Sequence, residues 1–223
     1  MTAENRSELS PWAAESTRIR EWFASNRHQM SGNGVWFSGG EPNTLDPELF
    51  SGARVRILIV RLSEYKDVAA GITHSYLYQM ASSVDGCFVD MAFMPPERDE
   101  KLMIAAGIPL LTGTNTKFPA AAFDVVAISN SVLQELINLP ALLHFSGLPL
   151  SRSAREAAAS PLVILGGSNS SVHSILHGQT GDGAAEGLVD AVIMGDGERV
   201  LAEALSLVRD NRDCARPELL KMM

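Results

Sequence analysis

Residues 161–169 read Pro-Leu-Val-Ile-Leu-Gly-Gly-Ser-Asn, and this stretch decides the predicted fold. Four apolar residues that run into two glycines are typical of a strand buried on both faces. The glycines allow a second backbone or a ligand to approach the end of that strand closely. Residues 188–193 repeat the apolar pattern and break at Gly-Asp-Gly-Glu, residues 195–198. The two segments predict neighbouring strands whose carboxyl ends form one glycine-rich binding edge.

The rest of the chain supplies further strands and helices in alternation. The hydrophobic pattern predicts strands at residues 55–62, 87–94, 123–129, 162–165 and 189–194, and helices at residues 72–82, 98–106, 132–145 and 200–208. Alternating strands and helices imply crossover connections and a parallel sheet. We therefore predict an α/β fold, a doubly wound five-stranded parallel sheet with helices on both faces.

The sequence predicts three segments: a helical and irregular extension over residues 1–52, the α/β domain over 53–210, and a tail or linker to a further domain over 211–223. Ser10 and Pro11 indicate the start of an amphipathic helix whose apolar stripe contains Ile19 and Phe23. Packing of this stripe on the chain's own core is the favoured interpretation, and docking to a partner is the alternative. Residues 35–37 suggest a short strand.

Composition excludes several classes of function. A net charge of -8 and the lack of a basic stripe argue against a nucleic-acid partner. No apolar run approaches the roughly 20 residues that span a bilayer, and the N-terminus lacks the layout of a secretory signal. The sequence therefore predicts a cytoplasmic protein with no membrane partner. The two cysteines, Cys87 and Cys214, suggest no disulfide and are too few for an iron–sulfur cluster.

Common nucleotide and hydrolase motifs are absent. There is no P-loop, no Gly-x-Gly-x-x-Gly after the first predicted strand, and no Gly-x-Ser-x-Gly. His173 and His177 have a helical spacing that suits two metal ligands, but ordinary polar helix residues are the favoured interpretation. His74 could reach the binding edge or be a surface histidine at a helix start. Asp196 and Glu198 are either a functional carboxylate pair or acids that stabilise a helix N-terminus.

The loops that follow the predicted strands carry the candidate site, because ligands of open parallel sheets bind beyond the carboxyl ends of the strands. These loops are rich in glycines and small hydroxyls, which suits a large flat ligand better than a compact acid–base centre. We predict no catalytic residue and no metal ligand in the chain. The candidate cofactor-binding residues are Ser63, Glu64, Tyr65, Ser129, Asn130, Ser131, Gly166, Gly167, Ser168, Asn169, Gly195, Asp196, Gly197 and Glu198.

The order of several motifs resembles the cobalamin-binding domain that precedes the catalytic barrel in radical S-adenosylmethionine (SAM) proteins, especially an uncharacterised group of them. The resemblance runs from about Val35 to the C-terminus. It is carried by Val-Trp-Phe-Ser-Gly-Gly-Glu-Pro-Asn at 35–43, Ala-Gly-Ile-Pro-Leu at 106–110, Ser-Gly-Leu-Pro-Leu at 146–150, the Gly-Gly strand and Gly-Asp-Gly-Glu at 195–198.

This resemblance implies a flavodoxin-like sheet that holds a corrinoid over its carboxyl ends, with the nucleotide tail beside Gly166 and Gly167. It also implies that Ser129 and Ser131 bond polar atoms of the tail and that the loop from Ser63 lies under the ring. The loop after the first strand, residues 63–71, has no cobalt-binding histidine, so the lower cobalt face would be free or bound to water. The chain lacks the Cys-x-x-x-Cys-x-x-Cys motif, so SAM and a [4Fe-4S] cluster would belong to a missing domain or partner.

The first functional hypothesis is therefore a cobalamin-binding or cobalamin-binding-like accessory module. Its partner would be a radical SAM barrel, as a domain of the same chain or a separate subunit, in which methyl transfer or radical chemistry takes place. The alternative is a non-catalytic interaction domain with a vestigial cofactor edge, with homodimerisation through the N-terminal helix. A third hypothesis is an enzyme that handles a nucleotide or flavin on the same edge.

Overall fold

A computed structural model describes residues 10–38, 45–168, 177–179, 185–195 and 197–223 of the chain. The helices are α1 (Ser10–Asn26), α2 (Tyr65–Val68), α3 (Thr73–Ser82), α4 (Glu97–Ala105), α5 (Leu139–Phe145), α6 (Arg152–Ala157), α7 (Gly197–Asp210) and α8 (Arg216–Met222). The strands are β1 (Val55–Glu64), β2 (Cys87–Met94), β3 (Val125–Ser129), β4 (Leu162–Gly166), β5 (His177–Gln179), β6 (Ala185–Gly187) and β7 (Ala191–Val192). Short 3-10 helices cover Ser31–Phe37, Pro47–Gly52 and Leu133–Asn138.

Five of these strands form one parallel sheet in the order β2-β1-β3-β4-β7. The strand order reverses at β1: the next strand in the chain, β2, pairs on one side of β1, and the strand after it, β3, pairs on the other side. This is the order of flavodoxin-like proteins, in which ligands bind at the switch point of the sheet. The predicted α/β fold with a five-stranded parallel sheet is confirmed.

The strands of the sheet are buried on both faces because successive side chains point to opposite sides. Along β1, Leu58 and Val60 belong to one apolar core, whereas Ile57 and Ile59 belong to a second core on the other face. The first core also takes up the N-terminal segment, and the second is covered by α3 and α7. Two cores of this kind explain the nearly continuous apolar runs in the sequence.

The N-terminal segment packs on the first core. Ile19 and Phe23 of α1 are buried, and the Phe23 ring stacks on Phe37 with a centroid distance of 3.3 Å. The favoured interpretation of the α1 stripe is therefore confirmed. The prediction of a strand at 35–37 is wrong, because Asn33 and its two flanking glycines have positive φ angles and curl the backbone into a 3-10 helix.

The C-terminal part contains elements that the sequence did not predict. Strands β5 and β6 pair antiparallel as a separate ribbon, and Leu219 of α8 is buried in the second core. His177 lies in β5, so the helical spacing proposed for His173 and His177 does not apply, while His173 lies outside the described residues. The division into three segments stays a prediction.

Candidate functional site

A cavity of about 400 Å³ opens at the carboxyl edge, the side of the sheet on which the parallel strands end. Its floor is made by the ends of β1, β3 and β4 and by Ile193, which follows β7. Thr73 and Leu77 of α3 form one side, and Gly197 and Leu201 of α7 form the opposite side. The cavity therefore lies between α3 and α7, and its volume is in the range of small-molecule sites.

The structure brings half of the predicted site residues together in the wall of this cavity: Ser129, Ser131, Gly166, Gly167, Ser168, Gly195 and Gly197. They come from three separate loops, so the expectation that glycine-bearing turns converge at one edge agrees with the geometry. Asn169 and Asp196 lie outside the described residues, as does the side chain of Glu198 at the start of α7.

The predicted site residues Ser63, Glu64 and Tyr65 do not line the cavity; the first two are the last residues of β1 and the third begins α2. The Ser63 hydroxyl donates to Glu135 Oε1, and Glu64 forms an exposed ion pair with Lys66 at 2.8 Å. Tyr65 packs edge-on against Phe93, with ring centroids 5.0 Å apart. These contacts turn the three side chains toward other parts of the protein.

Gly166 and Gly167 differ in what lies next to the position of a Cβ atom. A Cβ atom on Gly166 would face the cavity and lie 3.7 Å from Ile193 Cβ, which is ordinary contact. A Cβ atom on Gly167 would instead fall on the carbonyl oxygen of Asn130, and its φ of +110° is one that other residues rarely adopt. Gly166 therefore leaves space for a ligand, whereas Gly167 leaves space for the backbone of Asn130.

Asn130 is fully buried behind the cavity wall. Its backbone amide donates to the Gly166 carbonyl at 2.9 Å, and its side-chain amide donates to the Val132 carbonyl at 2.7 Å. These two bonds fix the loop after β3 against the end of β4. Asn130 therefore positions Ser129 and Ser131, which do line the cavity.

Arg61 is the site residue that sequence reasoning missed. Its side chain leaves β1 toward β3, is 5 % exposed, and donates to Ser129 Oγ at 2.8 Å and to Ser131 Oγ at 3.0 Å. Burial lowers the pKa of this guanidinium, and the charge of Glu135 partly offsets that effect. A charged residue inside an otherwise apolar strand predicted to be buried was the signal that would have found it.

His74 lies beside Arg61, near the start of α3. The imidazole is buried and packs edge-on against Phe93, with ring centroids 5.8 Å apart. Burial and the positive charge of Arg61 both lower the pKa of His74. The interpretation of His74 as a surface histidine is therefore wrong, and the neutral form of the ring is favoured.

Several large apolar side chains are exposed in the segments that carry lining residues, namely at the start of α3, after Ser131 and at Met194. We call them the apolar rim: Ile72, Tyr76, Val132, Leu133, Ile137 and Met194. Ile72, the residue before α3, is 80 % exposed, and Ile137, in the 3-10 helix Leu133–Asn138, is 82 % exposed. A concentration of exposed apolar side chains at one edge is typical of a surface that binds a ligand or a partner.

The cysteines are unsuited to metal chemistry. Both are free thiols, and burial raises the pKa of Cys87 to about 12, which disfavours the thiolate that binds metals. The part of the chain that the structure describes contains no group of three His, Cys, Asp or Glu residues arranged to hold a metal ion. Within the same residues, no helix is both long and apolar enough to cross a membrane.

Comparison with known families gives one match. Residues 73–223, from the first residue of α3 to the last residue of the chain, match the family described as radical SAM proteins, N-terminal. The matched region covers well over half of the chain and includes β3, β4, β7 and the helices on both sides of the cavity. No curated protein and no solved structure matches the chain.

Proposed function

Because this chain belongs to the family of N-terminal regions of radical SAM proteins, we propose that it is a cobalamin-binding module serving a radical SAM catalytic domain. Membership in the family supports the role of accessory module. The single observation that supports cobalamin is the cavity at the carboxyl edge, which lies where a flavodoxin-like sheet binds its cofactor.

The residues at this edge fit a ligand with a broad flat head and a slender tail. The apolar rim offers a surface for a macrocycle, while the cavity beneath it has the size of a small-molecule site. Gly166 keeps the cavity open at the end of β4, and the serine hydroxyls of the loop after β3 can bond polar atoms of a tail. Asn169, Asp196 and Glu198 belong to the proposed site as predicted residues.

The chain itself would bind and orient the cofactor, and the adjoining domain would perform the reaction. Bound cobalamin supplies a cobalt centre that can carry a methyl group or take part in radical chemistry. Two cysteines cannot hold a [4Fe-4S] cluster, so SAM and the cluster belong to the catalytic domain or subunit in this proposal. Methyl transfer and a cytoplasmic location are parts of the same proposal.

Titration of the chain with hydroxocobalamin, followed by ultraviolet–visible spectroscopy and co-elution on gel filtration, tests cofactor binding. The variant Gly166→Val places a β-branched side chain in the cavity, and we expect it to weaken binding at least about tenfold. Gly52→Val is the matched control, because a Cβ atom at Gly52 meets no atom within 4 Å and the residue lies outside the cavity wall. No spectral change with the unmodified chain would remove cobalamin from the proposal. Equal binding by both variants would show that the ligand does not use this cavity.

An interaction role for α1 would have to use its outward face. Ile19 and Phe23 are buried in the chain's own core, so a homodimer through this helix would rely on side chains such as the half-buried Trp12 and Trp22. Dimerisation stays a prediction, and no observation on the described residues favours it over cofactor binding.

A further inference from the structure

We propose that the corner of the cavity formed by Ser129 is a phosphate subsite that Arg61 sets up, so that the ligand of this edge carries a phosphate ester. This inference rests on the proposed function only in taking cobalamin, whose nucleotide tail contains a phosphodiester, as the first ligand to test. Free nucleotides and flavin mononucleotide contain the same chemical group and are the other possible sources of it.

The first argument is the charge of Arg61. Buried arginines are nearly always paired with a carboxylate, because an unpaired buried charge is costly. Among the described residues, no carboxylate lies within ion-pairing distance of Arg61, and its Nε atom is buried without a hydrogen-bond partner. The other two nitrogens contact neutral serine hydroxyls. Within the described part of the chain, this positive charge therefore has no carboxylate in direct contact with it.

The groups that face Arg61 do not remove this imbalance. Glu135 is the carboxylate whose charge acts on Arg61. Its Oε1 atom accepts from Ser63 and its Oε2 atom is buried without a hydrogen-bond partner, but among the described residues it forms no ion pair with the guanidinium. His74, the other titratable neighbour, has a lowered pKa. Arg61 does not itself line the cavity but lies behind Ser129 and Ser131, which do, so an anionic ligand group would balance its charge across these hydroxyls.

The second argument is the direction in which Ser129 donates. A guanidinium has only donors, so Ser129 Oγ must accept from Arg61 and must use its own proton elsewhere. Among the described residues, the structure records no acceptor for that proton, and Ser129 lines the cavity. A hydroxyl polarised by a neighbouring cation is a strong donor, and it points to an acceptor oxygen on the ligand.

The third argument comes from two helix N-termini in the same wall. Thr73 is the first residue of α3 and Gly197 is the first residue of α7, and both line the cavity. These helices contain 10 and 14 residues, so each presents unpaired backbone N–H groups and the positive end of its dipole. Phosphates bind in such positions, and here the two helices supplement the charge of Arg61.

Isothermal titration of the 223-residue chain with cobalamin, and with cobinamide, which lacks the phosphate and nucleotide, measures the subsite directly. The variant Arg61→Met keeps most of the side-chain volume and removes the charge. We expect it to weaken cobalamin binding about ten- to hundredfold and to leave cobinamide binding unchanged, because a hydrogen bond to a charged group is lost. Inorganic phosphate should compete with cobalamin in the unmodified chain only.

Two further variants keep the test independent of folding defects. Arg56→Met removes an equally buried arginine from the same strand. The Arg56 side chain pairs with Asp124 and donates to the Phe50 carbonyl, whereas Arg61 contacts Ser129 and Ser131 of the cavity wall. We expect it to affect stability without changing ligand preference. Ser129→Ala leaves Arg61 in place and should weaken cobalamin binding about three- to tenfold, again without an effect on cobinamide.

The outcomes separate this inference from the proposed function. If cobalamin binds equally well to the unmodified chain and to the Arg61 and Ser129 variants, or if those variants lose cobinamide to the same extent, the phosphate subsite is refuted and the cobalamin module stands. If no corrinoid binds but AMP or flavin mononucleotide binds in an Arg61-dependent way, the subsite stands and cobalamin is refuted. If none of these phosphate-bearing ligands binds, both are refuted.

Discussion

Replacing Asp190 with asparagine tests whether one buried ion pair holds β7, and with it the far side of the cavity, against the sheet. Asp190 and Arg155 both have fully buried side chains. Arg155 donates to the two carboxylate oxygens at 3.1 and 3.3 Å, and the Val163 amide donates to one of them at 2.7 Å. The backbone amide of Asp190 in turn donates to the Val163 carbonyl at 2.7 Å.

The expected loss follows from the fact that every partner of this carboxylate is a donor. An asparagine NH₂ group would face either Arg155 or the Val163 amide. The charges of Arg155 and of Arg216, whose Nη1 atom lies 3.6 Å from Asp190 Oδ1, would lose their buried counterion. Breaking a buried pair in this way costs about 3–5 kcal/mol. For a chain of this size, 1 kcal/mol lowers the melting temperature by about 2–4 °C, so Asp190→Asn should melt roughly 6–20 °C lower.

Urea denaturation and thermal melting of Asp190→Asn and Asp85→Asn provide the measurement. Asp85 also pairs with an arginine, Arg54, but their side chains are 87 % and 55 % exposed, and such a surface pair contributes at most about 1 kcal/mol. The double variant Arg155→Met with Asp190→Asn should recover part of the loss, because the unpaired Arg155 charge is gone while that of Arg216 remains. If Asp190→Asn is no less stable than Asp85→Asn, or if the double variant loses the sum of the single losses, the ion pair does not hold this region.

Two further predictions concern a glycine and a lysine. Gly167→Ala should lower the free energy of unfolding by at least about 2 kcal/mol, because φ at this position is positive and the added Cβ atom meets the Asn130 carbonyl. Gly166→Ala should lower it by less than about 1 kcal/mol. Equal stability of the two variants in urea would contradict the different roles given to these glycines. Burial lowers the pKa of Lys117 from 10.5 to about 8. Between these pH values the unfolded chain retains a proton that the folded chain has lost. The free energy of unfolding should therefore rise with pH by up to ~1.4 kcal/mol per pH unit. Urea denaturation of the unmodified chain and of Lys117→Met across this pH range should show the rise only in the unmodified chain. The same pH dependence in both proteins would refute the prediction for Lys117.

The arrangement of strands and helices follows from local pattern. Apolar runs such as residues 55–62 and 162–165 are long enough for buried strands and too short for most helices, and the helical segments between them require parallel pairing. The prediction at 35–37 failed because aromatic residues suit strands, whereas the curled backbone at Asn33 and the bond from Trp36 Nε1 to the buried carboxylate of Asp99 hold a 3-10 helix there.

For the candidate site, too, some features follow from the sequence and others only from the tertiary structure. The sequence by itself determined that glycines and serines follow the strands, and parallel strands necessarily bring those loops to one edge of the sheet. Only the tertiary structure decided which of them face the cavity, because that depends on the side to which each side chain points: Gly166 opens onto the cavity, and Ser63 is turned to Glu135. It also decided the role of Arg61, because whether a buried charge has a counterion is set by residues far away in the chain.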